Sequence, residues 1–158
     1  MPKYTFLMPA YKASFLHEAI QSILSQTYTH FRLIISDDCS PEGLKAIVDE
    51  FNDDRIIYRR NEKNIGAERL VHHWNQLLNM CDSEWCIMAA DDDEYDPRFL
   101  EGLDKLQISY PKVDLLRARL CTIDEYGDIT FEEGLFKEYT DQLSFYKQFH
   151  YNSFRMSI

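Results

Sequence analysis

From residue 4 to residue 120, short apolar β-prone runs alternate with stretches whose apolar residues recur at helical spacing. Tyr4 to Met8 reads as a first strand stopping at the turn-former Pro9, and Phe31 to Ile35 as a second. Ile56 to Tyr58 is a short third, a fourth starts at Trp85, and Asp114 to Leu120 is a fifth. Between them, Leu16, Ala19, Ile20, Ile23 and Leu24 make one helical stripe that Ser14 can cap. Leu44, Ile47, Val48 and Phe51 make a second after the helix start Ser40-Pro41. In the third, opened by Gly66, Leu70, Trp74, Leu77 and Leu78 are expected to face the core, with Arg69, His72 and Gln76 elsewhere on the cylinder. The fourth, from about Pro97 to Tyr110, carries Leu100, Leu103 and Leu106. Such alternation predicts an α/β fold, a Rossmann-like, mostly parallel sheet flanked by helices and joined by right-handed crossovers.

The fourth strand runs into acids, the chain from Trp85 to Asp96 reading WCIMAADDDEYD. Its apolar run predicts a strand buried on both faces. Asp91, Asp92 and Asp93 then fall at its carboxyl end, the edge of an open α/β sheet where ligands bind. A divalent cation is one reason to gather three carboxylates there; a solvated loop whose aspartates cap the helix near Pro97 is the other. Two further strand ends reach the same edge, one as Pro9-Ala10-Tyr11 and one as Asp37-Asp38. The combination suits a nucleotide: Tyr11 can stack on a base, Asp38 can accept a ring N–H, and the triple aspartate can hold a metal against a diphosphate. Separate helix caps and a core tyrosine explain the same residues without a ligand. Trp74 reads as a core residue, and His72 and His73 as surface histidines, not ligands.

At 158 residues the chain is long enough for a real core, and its formal net charge of -10 with scattered basic residues excludes a phosphate-reading nucleic-acid surface. An acidic protein handling a phosphorylated ligand needs a metal to bridge the two. Cys39, Cys81, Cys86 and Cys121 show no Cys-x-x-Cys pair and no zinc spacing to a His, so they are expected to be reduced, mostly buried thiols of a cytoplasmic protein. No stretch has the length of a signal peptide's apolar core or a membrane span. Peripheral attachment at the inner face of a membrane stays open.

The stretch MPAYKASFLHEAIQSILSQTYTHFRLIISDDCSPEG resembles the amino-terminal signature of glycosyltransferase family 2, inverting enzymes of the GT-A fold that use nucleotide-diphospho-sugars. The features are the Pro9-x-Tyr11 turn, a helix ending in Ile-Leu-Ser-Gln-Thr-Tyr, the aromatic Phe31, and Asp37-Asp38-x-Ser40. The likeness continues through Asn64-Ile65-Gly66, Asn75 and AADDDEYDPRFLE, covering residues 3 to about 120. It implies that Tyr11 stacks on a base, usually uracil, that Pro9 shapes the turn, and that Asp38 recognises the base. It places a basic nucleotide contact at Arg69. Asp91 would reach the ribose or help the metal, Asp92 would be the principal ligand of Mg or Mn, and Asp93 the next. Ala90 stands where the family's motif usually has its first Asp, which leaves the ranking of Asp91 to Asp93 open.

The resemblance implies transfer of a sugar from a nucleotide-diphospho-sugar, a UDP-sugar where the base is the family's usual uracil, to a hydroxyl acceptor on a glycan or lipid-linked carrier in cell-surface polysaccharide synthesis. Residues 1–120 are expected to bind the donor and residues 121–158 to begin an acceptor-binding part. There, Thr122-Ile123, a Tyr126-Gly127-Asp128 turn and Ile129-Thr130-Phe131 read as a hairpin, and Asp141 to His150 as a short helix. The catalytic base is expected beyond residue 158, which would leave these residues alone inactive or nearly so. A non-catalytic nucleotide-sugar-binding module shares every donor-site residue. A receiver-type signalling domain places its acids after the first strand, where this chain has Pro9.

Overall fold

The computed structural model describes residues 1–134, 140 and 141. They divide into two compact units, residues 1–116 and the residues from 117 onward. In the first unit, strands β1 (Tyr4–Ala10), β2 (Phe31–Asp37), β3 (Ile56–Arg60) and β4 (Trp85–Met88) form a parallel sheet in the order β3-β2-β1-β4. Helices α1 (Leu16–Leu24), α2 (Leu44–Asp49), α3 (Leu70–Leu78, after a 3-10 turn at Ala67–Arg69) and α4 (Phe99–Ser109) fill the connections. The expected α/β sheet flanked by helices is present.

Period-2 alternation of the two central strands assigns the faces. Tyr4, Phe6, Met8 and Ala10 of β1 lie with Phe31, Leu33 and Ile35 of β2 in the main core, against Leu16, Ala19, Ile20 and Ile23 of α1, Leu44 and Val48 of α2, and Leu100 and Leu103 of α4. On the opposite face, Leu7 and Ile34 pack against Leu77 of α3. The parity continues past the apolar residues. Ser36 follows Ile34 onto the α3 face, and Asp37 follows Ile35 onto the other.

Several expectations are corrected. The strand at β4 is not buried on both faces: it is an edge strand among the described residues, and Cys86 and Met88 are exposed. β1 and β2 are the doubly covered strands, because α1, α2 and α4 pack on one face of the central pair and α3 on the other. β1 also runs through Pro9 to Ala10 instead of stopping before it, because a parallel strand's neighbours bond to alternate residues and Pro9 has no N–H to place. No strand forms over Asp114 to Leu120. Leu115 and Leu120 are exposed there, so these apolar residues have no face to bury. Ser14 does not cap α1, which begins after Phe15 with no side-chain cap, and Ser40-Pro41 forms a turn three residues ahead of α2, whose cap is Gly43 at φ 69°. In α3, His73 and Leu77 are the buried residues, while Leu70, Trp74 and Leu78 are each about 40% exposed. The four thiols are free, as expected, but Cys39 and Cys81 are half-buried and Cys86 and Cys121 exposed.

In the second unit, β5 (Cys121–Ile123) and β6 (Ile129–Glu132) form the expected antiparallel hairpin. Asp124 Oδ1 accepts the Tyr126 and Asp128 N–H groups at 2.9 and 3.0 Å and closes its turn. The helix expected over Asp141 to His150 lies outside the described residues. No helix among the described residues is long and apolar enough to cross a membrane.

Candidate functional site

The parallel sheet delivers the ends of β1, β2 and β4 to one edge, and hydrogen bonds between their loops tie that edge together. Asp91 Oδ2 accepts the backbone N–H groups of Tyr11 and Lys12 at 2.7 and 2.9 Å, joining the loop after β4 to the loop after β1. Ser40 Oγ donates to the Tyr11 carbonyl at 2.5 Å, and Glu42 Oε2 accepts the Ala13 N–H at 2.6 Å, joining the β1 loop to the β2 loop. Tyr11 itself is 43% exposed. Its backbone is held at both N–H and C=O while its ring stays open to solvent, which is the state a stacking platform requires.

Asp38 is 7% exposed and wrapped by the loop after β3. Its Oδ1 accepts Asn61 Nδ2 at 2.9 Å and the Ile65 N–H at 2.8 Å; Oδ2 accepts the Gly66 N–H at 3.0 Å. Asn64 Nδ2 donates to the Asp38 carbonyl at 3.1 Å. Burial pushes the Asp38 carboxyl up, but the bonds from Ile65, Asn61 and Gly66 together outweigh it and hold the group below the usual carboxylate range. Oδ2 accepts one protein N–H, and a carboxylate oxygen has a lone pair for a second. Gly66 sits at φ 71°, ψ 171°, a conformation essentially reserved for glycine, and an added Cβ would lie 3.0 Å from Asn64 Oδ1.

Asp37, fully buried, is committed elsewhere. It accepts the Ser40 N–H at 2.7 Å, Tyr58 Oη–H at 2.5 Å and Arg60 Nη1–H at 2.6 Å, while Arg60 Nη2 donates to the Ser40 carbonyl at 2.9 Å. This network sets the turn from which Ser40 reaches Tyr11.

The acidic loop is anchored from below. Ser22 Oγ of α1 accepts the Tyr95 N–H at 3.1 Å, and buried Gln26 donates to the Asp96 carbonyl at 2.8 Å while accepting the Leu100 N–H at 2.9 Å. Asp92 and Asp93 project from this anchored loop and are exposed. Partial desolvation, then the neighbouring Asp92 and Asp91 charges, raise the Asp93 carboxyl above its ordinary value. Among the described residues no three His, Cys, Asp or Glu side chains are gathered into a ready-made metal cage. Two neighbouring carboxylates are hard-oxygen donors of the kind that suits a divalent cation such as Mg or Mn.

Of the residues singled out from sequence, Tyr11 and Asp91 are therefore bonded directly. Asp38 joins them through the β2 loop, where the Asp38 N–H donates to the Ala10 carbonyl at 2.9 Å. Pro9, half-buried in β1, pairs in register with Ser36. Arg69 ends the 3-10 turn that Gly66 opens and is exposed. Asn61, Arg60, Glu42 and His73 were not singled out as site residues, and the surface position expected for His73 is wrong: it is 3% exposed. Arg60 was discoverable, since Tyr58 and Arg60 share one face of β3 and register places Arg60 beside Asp37. His73 carried no such signal.

A family model described as Glycosyl transferase family 2 matches residues 5–158. WcaA of Escherichia coli K12, named for colanic acid biosynthesis, is 36% identical over 102 residues, 63% of this chain and 36% of that protein. WfgD of Escherichia coli, a UDP-Glc:alpha-D-GlcNAc-diphosphoundecaprenol beta-1,3-glucosyltransferase, is 38% identical over 64 residues, 40% of this chain and 25% of its own length. S. aureus TarS 1–349, crystallised in complex with UDP, superposes with a TM-score of 0.61 at 20% identity, covering 69% of this chain and 33% of that one, and shows the GT-A fold. The chain spans 36 to 46% of the length of the first relatives it matches.

Proposed function

Since the chain belongs to glycosyl transferase family 2, we propose that it forms the donor-binding part of an inverting glycosyltransferase that takes its sugar from a UDP-sugar. The observation that carries this reading is the joining of Tyr11, the Asp38 loop and Asp91 at one sheet edge by the hydrogen bonds of Asp91 and Ser40. That edge offers an exposed aromatic ring, a buried ionised acceptor and two projecting carboxylates, the complement of a base, its ring N–H and a metal-bound diphosphate. UDP in the TarS crystal structure and UDP-Glc in the name of WfgD support uracil as the base. The diphosphoundecaprenol acceptor in that name, and the colanic acid role of WcaA, support a lipid-linked or glycan acceptor in polysaccharide synthesis at a membrane face.

In the mechanism, Tyr11 stacks on the base and Asp38 Oδ2 accepts its ring N–H. Arg69 contacts the nucleotide from the mouth of the Gly66 turn. Asp91 keeps the β1 loop in place and presents its other oxygen toward the ribose. Asp92 and Asp93 would hold Mg or Mn, which supplies neutralising charge to the departing diphosphate. The acceptor hydroxyl attacks the anomeric carbon in line as the bond to the diphosphate oxygen breaks, and a carboxylate takes its proton. We place that carboxylate in the acceptor-binding part, which starts near residue 121. Glu132 and Glu133 pair with Arg119 and Arg117, and Asp124 holds the hairpin turn, so these acids are engaged in the hairpin's own structure.

Calorimetric titration with UDP, in Mn-containing buffer and in EDTA, tests the reading. We expect binding with Mn that falls at least tenfold, about 1.4 kcal/mol, in EDTA and in Asp92→Ala. Metal-independent binding, or an Asp92→Ala variant that binds normally, would remove the metal assignment; no binding of any nucleoside diphosphate would remove the donor site.

A further inference from the structure

Beneath Asp38 lies a buried polar group that the donor-site chemistry does not use. His73 of α3 places Nε2 at 2.9 Å from Ser36 Oγ and 3.4 Å from Asn61 Nδ2, and Asn61 Nδ2 donates to Asp38 Oδ1 at 2.9 Å. Ser36, His73, Asp38 and Asn61 are between 1% and 8% exposed. The ionised Asp38 carboxylate only accepts, so the Asn61 amide nitrogen must face it. That orientation turns the other hydrogen of the same nitrogen toward His73 Nε2 and leaves Asn61 Oδ1 to accept Arg59 Nη2–H at 3.4 Å. We read Nε2 as an acceptor whose single lone pair is shared between the Ser36 hydroxyl and the longer contact from Asn61, which assigns the neutral Nδ1–H tautomer. A buried amide shared between a carboxylate and an imidazole has no freedom to rotate. The orientation of Asp38, held directly by the Ile65 and Gly66 N–H groups, is thus also set from α3 on the far side of the sheet, through Asn61.

We propose that His73 is a positioning residue for donor binding: as a neutral hydrogen-bond acceptor it fixes Asn61 and so aims Asp38 at the nucleotide base. A leucine of similar bulk would fill the site but remove one of the groups that hold the Asn61 amide, leaving it to Asp38 and Arg59. Glutamine would restore an acceptor, because its terminal amide reaches the place of Nε2. The inference rests on the donor-site reading above, and the experiment separates the two.

UDP affinity is measured with Mn for the unaltered chain, Asp38→Ala, His73→Leu and His73→Gln, alongside the heat-unfolding midpoint of each. The expected result is a UDP affinity at least fivefold weaker in His73→Leu and within about twofold of the original in His73→Gln, two variants that a purely space-filling role would not distinguish. An unaltered chain that binds no nucleotide, or binds independently of Asp38, brings down the donor-site reading and the inference with it. With that reading intact, equal UDP affinity in His73→Leu and the unaltered chain overturns the inference alone. Should His73→Leu fail to fold, the imidazole ¹⁵N resonances of the unaltered chain decide: an unprotonated Nε2 whose resonance moves on UDP addition supports the role, and a protonated or unmoved Nε2 rejects it.

Discussion

Asp37 and Asp38 are adjacent in sequence and opposite in circumstance, because consecutive residues leaving a strand point to opposite faces. Asp37 turns into the main core side, where Tyr58, Arg60 and the Ser40 N–H all donate to it. Burial, then Asp37, push the Tyr58 hydroxyl up to about 12, so it stays a donor at any working pH. Asp37→Ala would strand these donors, and we expect a loss of about 3 kcal/mol in urea unfolding, together with weaker UDP binding as the Ser40 turn relaxes from Tyr11. His73 makes a pH prediction. Burial lowers its pKa, opposed by the Asp38 charge and aided by Arg59 of β3 and His72 of α3. A base depressed in the folded state is protonated first in the unfolded chain, so stability falls as pH drops below the ordinary value of 6.5 and stops falling below the folded pKa. The heat-unfolding midpoint should therefore decline between pH 7 and pH 5.5, and His73→Gln should remove that part of the decline.

At the scale of elements, the edge works because each loop is fastened to a rigid neighbour. Gly66 is the pivot where the loop that wraps Asp38 becomes the 3-10 turn leading into α3. Gly66→Ala combines a disfavoured backbone with a Cβ pressed against Asn64, and should cost about 1–3 kcal/mol in urea unfolding and weaken UDP binding more than the same substitution at Gly102, where nothing lies within 4 Å of an added Cβ. Helix and strand order was legible from apolar spacing. Helix starts were not: Ser14 and Ser40 look like caps, yet Ser40 Oγ accepts the Glu42 N–H within its own turn and donates to the Tyr11 carbonyl, a bond that exists only when the β1 and β2 loops meet. The face of α3 was misread for a related reason. Its leucines and Trp74 suggest one buried stripe, but α3 touches the sheet through a narrow contact of Leu77 with Leu7 and Ile34, and the polar His73 takes the second buried position because Ser36 and Asn61 receive it.

At the scale of the whole molecule, every residue of both apolar clusters lies within 4–116. Removing the residues from 117 onward should leave one cooperative unfolding transition with a midpoint within ~4 °C of the original, the shift of roughly 1 kcal/mol for a domain of this size; loss of cooperativity would show that the core needs the remainder of the chain. The net charge of -10 would repel a nucleoside diphosphate from the surface at large, so binding has to be local and cation-assisted. The sequence by itself determined the alternation of strands and helices, hence the parallel sheet, hence the meeting of Tyr11, Asp38 and the Asp91 to Asp93 run at one edge, because parallel strands bring all their carboxyl ends to the same edge. Only the tertiary structure decided which of those acids are already occupied. Asp91 and Asp37 hold loops, Asp38 accepts two donors on Oδ1 and one on Oδ2, and Asp93 is bonded by the Ala90 backbone within its own loop, because a carboxylate's commitments are set by the donors the fold brings to it and no spacing along the chain records them.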